Sequence, residues 1–156
     1  MRAIFTAILG VLAGIISLQP ARAGDLTPAG PFKITATVST NRIQLKKPFT
    51  LHLKVQNVSA TTQEFETLVC SWWVNWTLAS DQLQFPTWDC DFKPPYKVVL
   101  RPGVSWTNDV DLKIGKPLAN NHISFRAGFS PSIVNPNRDK NPTYLWSNQV
   151  KLELVQ

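Results

Sequence analysis

The chain has 156 residues, with 16 basic and 10 acidic side chains and a formal net charge of +6. The basic residues are scattered apart from Lys46-Lys47, so the dense basic run of a nucleic-acid-binding surface is missing and no nucleic-acid partner is predicted. A blue-copper centre uses two histidines, a cysteine and usually a methionine as copper ligands. The single methionine of this chain is residue 1, so the usual axial ligand is missing after the signal and a blue-copper centre is disfavoured.

The first 23 residues have the organisation of a secretory signal peptide. Arg2 supplies a positive charge, residues 3–18 are apolar and uncharged, and Ala21–Ala23 (ARA) fits the small-x-small cleavage rule. The apolar run is short for a membrane span, which disfavours the alternative of a retained N-terminal anchor. Cleavage would release residues 24–156 as one periplasmic or secreted domain without a stable membrane anchor. Loss of Arg2 and Arg22 leaves 14 basic residues against 10 acidic ones, a net charge of +4.

After the signal, apolar residues recur with a period of two, and no sustained 3.6-residue period is present, which predicts strands. One apolar and one polar face per strand is typical of antiparallel sheets packed in a sandwich. About seven strands in about 130 residues predict an all-β, Ig-like antiparallel β-sandwich. The alternating segments are Phe32–Val38, Phe49–Val55, Cys70–Leu78, Val104–Ile114, Ile123–Phe129 and Val150–Leu154.

Both cysteines lie in one segment, residues 70–90, which also holds four of the six tryptophans. A hairpin turn centred on Ser80 would place Cys70 directly opposite Cys90, at a separation close to what a disulfide needs. Exported chains with two cysteines usually pair them, so we predict a Cys70–Cys90 disulfide that stabilises the fold by about 3 kcal/mol. The absence of CxxC spacing disfavours a redox or metal-binding pair.

The tryptophans divide by parity into predicted core and surface positions. Trp73 has the opposite parity to its neighbours and would point outward from the sheet. Either a covering loop or edge packing accounts for it, or it binds a protein partner or stacks on a sugar ring. The tryptophans with core parity are Trp72, Trp76, Trp88 and Trp106.

Motifs that mark catalysis are missing from the sequence. GxSxG, CxxC, HExxH and Walker sequences are all absent, so we predict a protein that is not an enzyme and has no cofactor. His52 and His122 are the only histidines, and both are predicted to be solvated surface side chains. Asn57 and Asn75 head two N-x-[ST] sequons, which matter only in a glycosylating host.

Two pairs of aspartates form the one constellation that suggests chemistry. Asp89 and Asp91 share one face of their strand, and Asp109 and Asp111 share one face of theirs. If the two strands were neighbours, the four carboxylates could bind Ca²⁺ or provide a carboxylate pair for acid–base catalysis. The simpler interpretation is separate solvated acids countered by nearby lysines, and it predicts no metal site.

The segment Ser130–Pro142 is long for a connection between two strands. Its three prolines restrict the chain and lower the entropy lost when it is fixed against a partner. Ile133 and Val134 are aliphatic, and Arg138 and Lys140 add positive charge beside them, as in a small protein-binding patch. We predict that this loop makes the main partner contact. The alternatives are an unstructured surface loop, or a loop folded back with Ile133 against the sheet.

Three runs, NRIQLKKPFTLHLKVQNVS, LRPGVSWTNDVDL and HISFRAGF, resemble the bacterial BsuPI-type proteinase-inhibitor sandwich and its Ig-like relatives. Leu100, Pro102 and Gly103 match the L-x-P-G turn that leads into a strand of that family, and Phe49–Val55 match the strand before it. The resemblance covers residues 41–129 and implies the sandwich fold. The signal peptide, the predicted disulfide and a hairpin turn without glycine depart from the family pattern, so no functional residue is carried over.

The sequence therefore predicts an exported, non-catalytic module that recognises an envelope or extracellular protein through its loops and Trp73. A carbohydrate-binding module with Trp73 as a stacking platform is the first alternative. An enzyme or a Ca²⁺ site on the four aspartates is the second.

Overall fold

The computed structural model describes residues 30–86, 94–114, 120–133 and 142–155, and the predicted signal peptide lies outside these ranges. The described residues form strands and one short 3-10 helix, which confirms the all-β, sandwich-like fold class. No helix in the described part of the chain is long and apolar enough to cross a membrane. The elements are β1 (Phe32–Val38), β2 (Arg42–Gln44), β3 (Phe49–Asn57), β4 (Gln63–Thr67), the 3-10 helix (Trp72–Asn75), β5 (Trp76–Leu78), β6 (Tyr96–Leu100), β7 (Ser105–Leu112), β8 (His122–Phe125), β9 (Ala127–Phe129), β10 (Leu145–Trp146) and β11 (Val150–Val155).

The first sheet has the order β1-β3-β7, with both pairings antiparallel. The central strand β3 alternates strictly between buried and half-buried residues, as its sequence pattern predicts. Its buried side chains are those of Phe49, Leu51, Leu53, Val55 and Asn57. The alternation places one apolar face against the second layer and leaves a face of threonine, lysine, histidine and aspartate outside.

The second layer is built around one interrupted antiparallel pair. Residues 122–129 form β8 and β9. β8 pairs with β11, and β9 pairs with β10. β5 extends this layer beside β9, and β2 extends it beside β11 in a parallel pairing. The start of the domain is thus divided between the layers, because β1 belongs to the first sheet and β2 to the second. β4 and β6 form a separate antiparallel pair.

Aromatic rings from both layers meet in the core. Phe129 of β9 lies at 5.0 Å from Phe65 and 5.0 Å from Trp76, measured between ring centroids. Phe32 of β1 contacts Phe129 edge-on at 6.4 Å, and Trp106 of β7 contacts Phe65 at 5.2 Å. Edge-to-face pairs of this kind add about 0.5–1.5 kcal/mol each beyond the area they bury. The core parity predicted for Trp76 is confirmed, and Trp106 packs half-buried against the same cluster.

A β-bulge separates β10 from β11. Trp146 pairs with Gly128, and Val150 pairs with Phe125. Three residues therefore lie between the paired positions on the β10–β11 side, opposite two residues on the β8–β9 side. Ser147 is buried in the bulge, where its backbone N–H donates to Ala127 O at 2.8 Å and its Oγ accepts from Ala127 N at 3.0 Å. In a regular strand, residues 146 and 150 would point to the same side of the sheet. The extra residue reverses the alternation between them, so Trp146 faces outward whereas Val150 faces the core.

The asparagine of each sequon is a fully buried structural residue. Asn57 Nδ2 donates to Thr61 O at 2.7 Å and to Leu100 O at 2.8 Å. Asn75 Nδ2 donates to Glu66 O and to a second backbone carbonyl, both at 2.9 Å. In the folded state neither amide is accessible for glycosylation.

The hairpin predicted across residues 70–90 is wrong on its N-terminal side. Residues 72–75 form the 3-10 helix, and β5 pairs with β9 instead of with the residues after Ser80. The reason is the buried Asn75 side chain, whose hydrogen bonds hold the chain in a turn that an extended strand cannot supply. The alternation of the segment Val104–Ile114 predicts Val104 on the inner face, and this is wrong, because Val104 closes a turn with Arg101 and its side chain is 45% exposed.

Candidate binding face

Five residues form the outward side of the sheet β5-β9-β10, here called the aromatic face. Thr77 of β5 and Trp146 of β10 both pair with Gly128 of β9, so these three residues make one row across the sheet. Arg126 precedes Gly128 by two residues and Tyr144 precedes Trp146 by two, which places each on the same side as its neighbour. The inward side of these strands is filled by the aromatic core.

Gly128 is the position that seats the indole of Trp146. A Cβ at residue 128 would lie 2.8 Å from Trp146 Cζ3 and 2.9 Å from Thr77 Cγ2, distances that real Cβ contacts do not reach. Only glycine therefore leaves room for the benzene half of the indole against the β9 backbone. The indole buries Gly128, yet 42% of Trp146 remains exposed to solvent.

Tyr144 adds a second ring to the aromatic face. Its ring centroid is 5.9 Å from that of Trp146, and the two ring planes are inclined by 51°. Burial raises the pKa of the Tyr144 phenol above its usual value of 10.0, so the hydroxyl is neutral and able to donate a hydrogen bond at physiological pH.

Arg126 brings a positive charge to the edge of the aromatic face. Its Nε donates to Ser147 O at 2.8 Å, which holds the guanidinium beside the residue that follows Trp146. The two Nη groups make no hydrogen bond with any residue that the structure describes. Farther along the same side of the layer, Arg42 Nε lies 3.8 Å from Glu153 Oε2.

Trp73, the tryptophan predicted to face outward from a strand, lies instead in the 3-10 helix. It is half-buried, and its ring centroid is 6.4 Å from that of Trp72. Together with Leu83 and Phe85 it lines a cavity of about 260 Å³ beside β5. A ligand-binding role for Trp73 stays a prediction, but the ring is not an open platform on a sheet.

The loop predicted to contact the partner is described only at its two ends. Ser130 is buried and its N–H donates to Asn75 O at 2.7 Å, which ties the start of the loop to the 3-10 helix. Ile133 is half-buried. Val134, Arg138 and Lys140 lie outside the described residues, so their role in binding stays a prediction.

On the outer face of the first sheet, the two described aspartates of the suggested cluster each contact a residue of β3. His52 Nδ1 and Asp109 Oδ1 are 2.8 Å apart, and Thr50 Oγ1 donates to Asp111 Oδ1 at 2.8 Å. Each aspartate thus has its own partner on β3. Among the residues that the structure describes, no group of three or more His, Cys, Asp or Glu could hold a metal ion. Asp89 and Asp91 lie outside those residues.

No described cysteine is a free thiol. Cys90 and Trp88 lie outside the described residues, so the Cys70–Cys90 bond itself stays a prediction. Cys70 is half-buried at the N-terminal side of the 3-10 helix.

Comparison with known proteins adds little to this geometry. No protein-family profile matches the chain, and no curated protein matches it. A β-glucosidase from Erythrobacter marinus matches 80% of this chain at 13% identity, with a TM-score of 0.40. The chain spans 15% of that protein's length. A likeness at this level carries no argument about fold or function.

Sequence reasoning missed the aromatic face for a specific reason. Alternation read backward from Val150 places Trp146 inside, because the bulge between them leaves no mark in a period-two pattern. One signal was available: an isolated glycine inside an otherwise apolar strand often marks a close approach by another group. Gly128 is such a glycine.

Proposed function

We propose that this chain is an exported, non-catalytic binding module whose ligand contacts the aromatic face. The observation that carries the proposal is the 42% exposed indole of Trp146, seated on Gly128 at the outside of a sheet. Tryptophan is among the residues that dominate binding energy when a partner covers them. A ring already fixed by the fold loses little conformational freedom on binding.

The rest of the proposal follows from the start of the chain and from the loop. The signal-like residues 1–23 favour export, which gives an envelope or extracellular partner. The segment Ser130–Pro142 leads directly to Tyr144, so the loop predicted to bind a partner and the aromatic face are consecutive in the chain. A protein ligand that covers both is therefore compatible with the sequence-based hypothesis.

The test is capture of material from a cell-envelope and culture-medium fraction by immobilised residues 24–156. We expect Trp146→Ala to lose the captured material, because truncation removes the exposed ring without changing charge. Val99→Ala is the matched control: Val99 is 58% exposed on β6, away from the aromatic face. Capture that is equal for wild type and Trp146→Ala would overturn the proposed surface.

A second variant separates the loop from the face. Ile133→Asp combined with Arg138→Glu changes the loop and leaves Tyr144 and Trp146 intact. If this double variant stays folded and loses capture while Trp146→Ala keeps it, the loop is the contact and the aromatic face is not. Melting temperatures of all variants are measured beside capture, so that unfolding is not mistaken for lost binding.

A further inference from the structure

The aromatic face combines features that suit one chemical class of ligand. An exposed indole offers a flat apolar surface of the size of a sugar ring, and Tyr144 provides a second ring inclined to it at 51°. Protein surfaces that bind proteins usually surround an aromatic residue with further apolar side chains. Here the row beside Trp146 holds Thr77, which is polar, and Gly128, which has no side chain.

Hydrogen-bond donors lie around the rings. The ring of Tyr144 lies 5.9 Å from that of Trp146, and Thr77 is in the same row of the sheet as Trp146; both residues carry a hydroxyl that can pair with sugar hydroxyls. Arg126 contributes a guanidinium whose Nε is fixed on Ser147 O while its Nη groups have no partner among the described residues. A guanidinium that still has donors available is suited to a carboxylate, with which it forms paired hydrogen bonds.

The charges on this side of the layer favour an anionic ligand. The outward cations on this side are Arg126, which lies between β8 and β9, and Lys151 of β11, whereas Glu153, the one acidic side chain of β8, β9 and β11, lies against Arg42. Lys151 pairs with Ser124, two residues before Arg126 on the same side, so the two cations are diagonal neighbours.

We propose that the aromatic face binds a pyranose sugar that carries a carboxylate, with the ring stacked on Trp146 and the carboxylate on Arg126. The inference rests on the proposed function and adds the class of ligand to it. Tyr144 and Thr77 hydrogen-bond the sugar hydroxyls. Lys151 adds attraction toward the neighbouring acidic units of a polymer.

The experiment is native electrophoresis of residues 24–156 in gels that contain alginate, polygalacturonate or hyaluronate. Each polymer is run beside its carboxyl-reduced counterpart, which has the same rings without charge. We expect retardation in at least one carboxylated polymer and less in its reduced form. Trp146→Ala keeps every charge, and its apparent affinity should fall at least about fivefold, the loss typical of a buried aromatic contact.

Arg126→Gln tests the charge separately from the ring. Its amide can still donate to Ser147 O, so the bulge keeps its hydrogen bond. We expect this variant to lose most of its preference for the carboxylated over the reduced polymer, with the remaining preference due to Lys151, whereas Val99→Ala behaves as wild type.

Three results would overturn the inference. They are no retardation in any of the polymers, equal retardation by the reduced forms for the wild-type protein, and equal retardation of wild type and Trp146→Ala, which would mean ion exchange alone. Failure here is distinguishable from failure of the proposed function. Suppose that Trp146→Ala abolishes capture from the envelope fraction. If capture by the wild-type protein then survives periodate treatment of that fraction but not protease treatment, the module binds a protein and the sugar inference is wrong.

Discussion

Asn57 offers the sharpest test of how the first sheet is joined to the β4–β6 pair. Its side chain is fully buried and makes four hydrogen bonds. Nδ2 donates to Thr61 O and Leu100 O, and Oδ1 accepts from the N–H of Ser59 at 2.9 Å and from its Oγ at 2.8 Å. One amide thus connects the end of β3, the turn before β4 and the end of β6.

The loss of stability expected for Asn57→Ala depends on which of the former hydrogen-bond partners of Asn57 can bond to water instead. The bond to Leu100 O is buried, and an unsatisfied buried carbonyl costs about 1–3 kcal/mol. Ser59 and Thr61 are close enough to solvent for water to recover part of their bonds, so they add about 1 kcal/mol together. We therefore expect Asn57→Ala to lower the free energy of unfolding by about 3 kcal/mol.

Urea unfolding measures this loss, which corresponds to a midpoint lowered by about 1–2 M for a domain of this size. Ser59→Ala is the matched control, because it removes the exposed end of the same network and should cost no more than about 1 kcal/mol. Asn57→Asp keeps the size but loses both donors, and it should be less stable at neutral pH than at acid pH, where the buried carboxyl is protonated. If Asn57→Ala costs no more than Ser59→Ala, the amide does not hold these elements together.

Three further predictions address other parts of the molecule. Gly128→Ala should displace the indole of Trp146, cost about 1–3 kcal/mol and change tryptophan emission; greater stability than wild type, the usual effect of alanine in a strand, would contradict the close approach. Alkylation of the unreduced protein, read by mass spectrometry, should modify neither Cys70 nor Cys90, and two modified thiols would reopen a redox role. Calorimetric titration with Ca²⁺ should show no stoichiometric site, because Asp109 contacts His52 and Asp111 contacts Thr50; a micromolar site abolished by Asp109→Ala would contradict this.

The strands with unbroken alternation could be predicted from sequence, and they carry most of the core. Phe32–Val38, Phe49–Val55 and Ile123–Phe129 correspond to strands whose apolar residues are buried as the pattern requires. The physical reason is that one buried face suffices to fix which side chains point inward. Fold class follows from these segments alone.

Elements held by single polar contacts could not be predicted. The residues Cys70–Leu78 alternate as well as any strand, yet the tertiary hydrogen bonds of Asn75 bend the first half into a 3-10 helix. β4 and β6 have alternation too weak to distinguish, because Glu64 and Glu66 face Val99 and Lys97 across an exposed pair. Periodicity records burial along one strand and carries no information about a partner far away in the sequence.

The orientation of the two tryptophans considered for binding could not be predicted from alternation. Trp73 was singled out because it breaks an alternation that the chain does not follow at that point. Trp146 was missed because its apparent alternation with Val150 is interrupted by the bulge. The sequence contained both tryptophans, but their orientation depends on one local irregularity in each case.

The bulge at residues 147–149 also has an evolutionary consequence. Deletion of a single codon there would restore regular pairing, and the alternation would then run unbroken from Val150 back to residue 146. The tryptophan would then stand three residues before Val150, still opposite Gly128, so its indole would stay on the outside of the sheet. A strand of the present length without the bulge would instead turn the indole toward the buried core around Phe129. Among homologous sequences, an even spacing between the tryptophan and the residue equivalent to Val150 should therefore occur together with a bulge, and an odd spacing with a regular strand. A homologue with the tryptophan and one residue fewer would keep the same ring on the same surface.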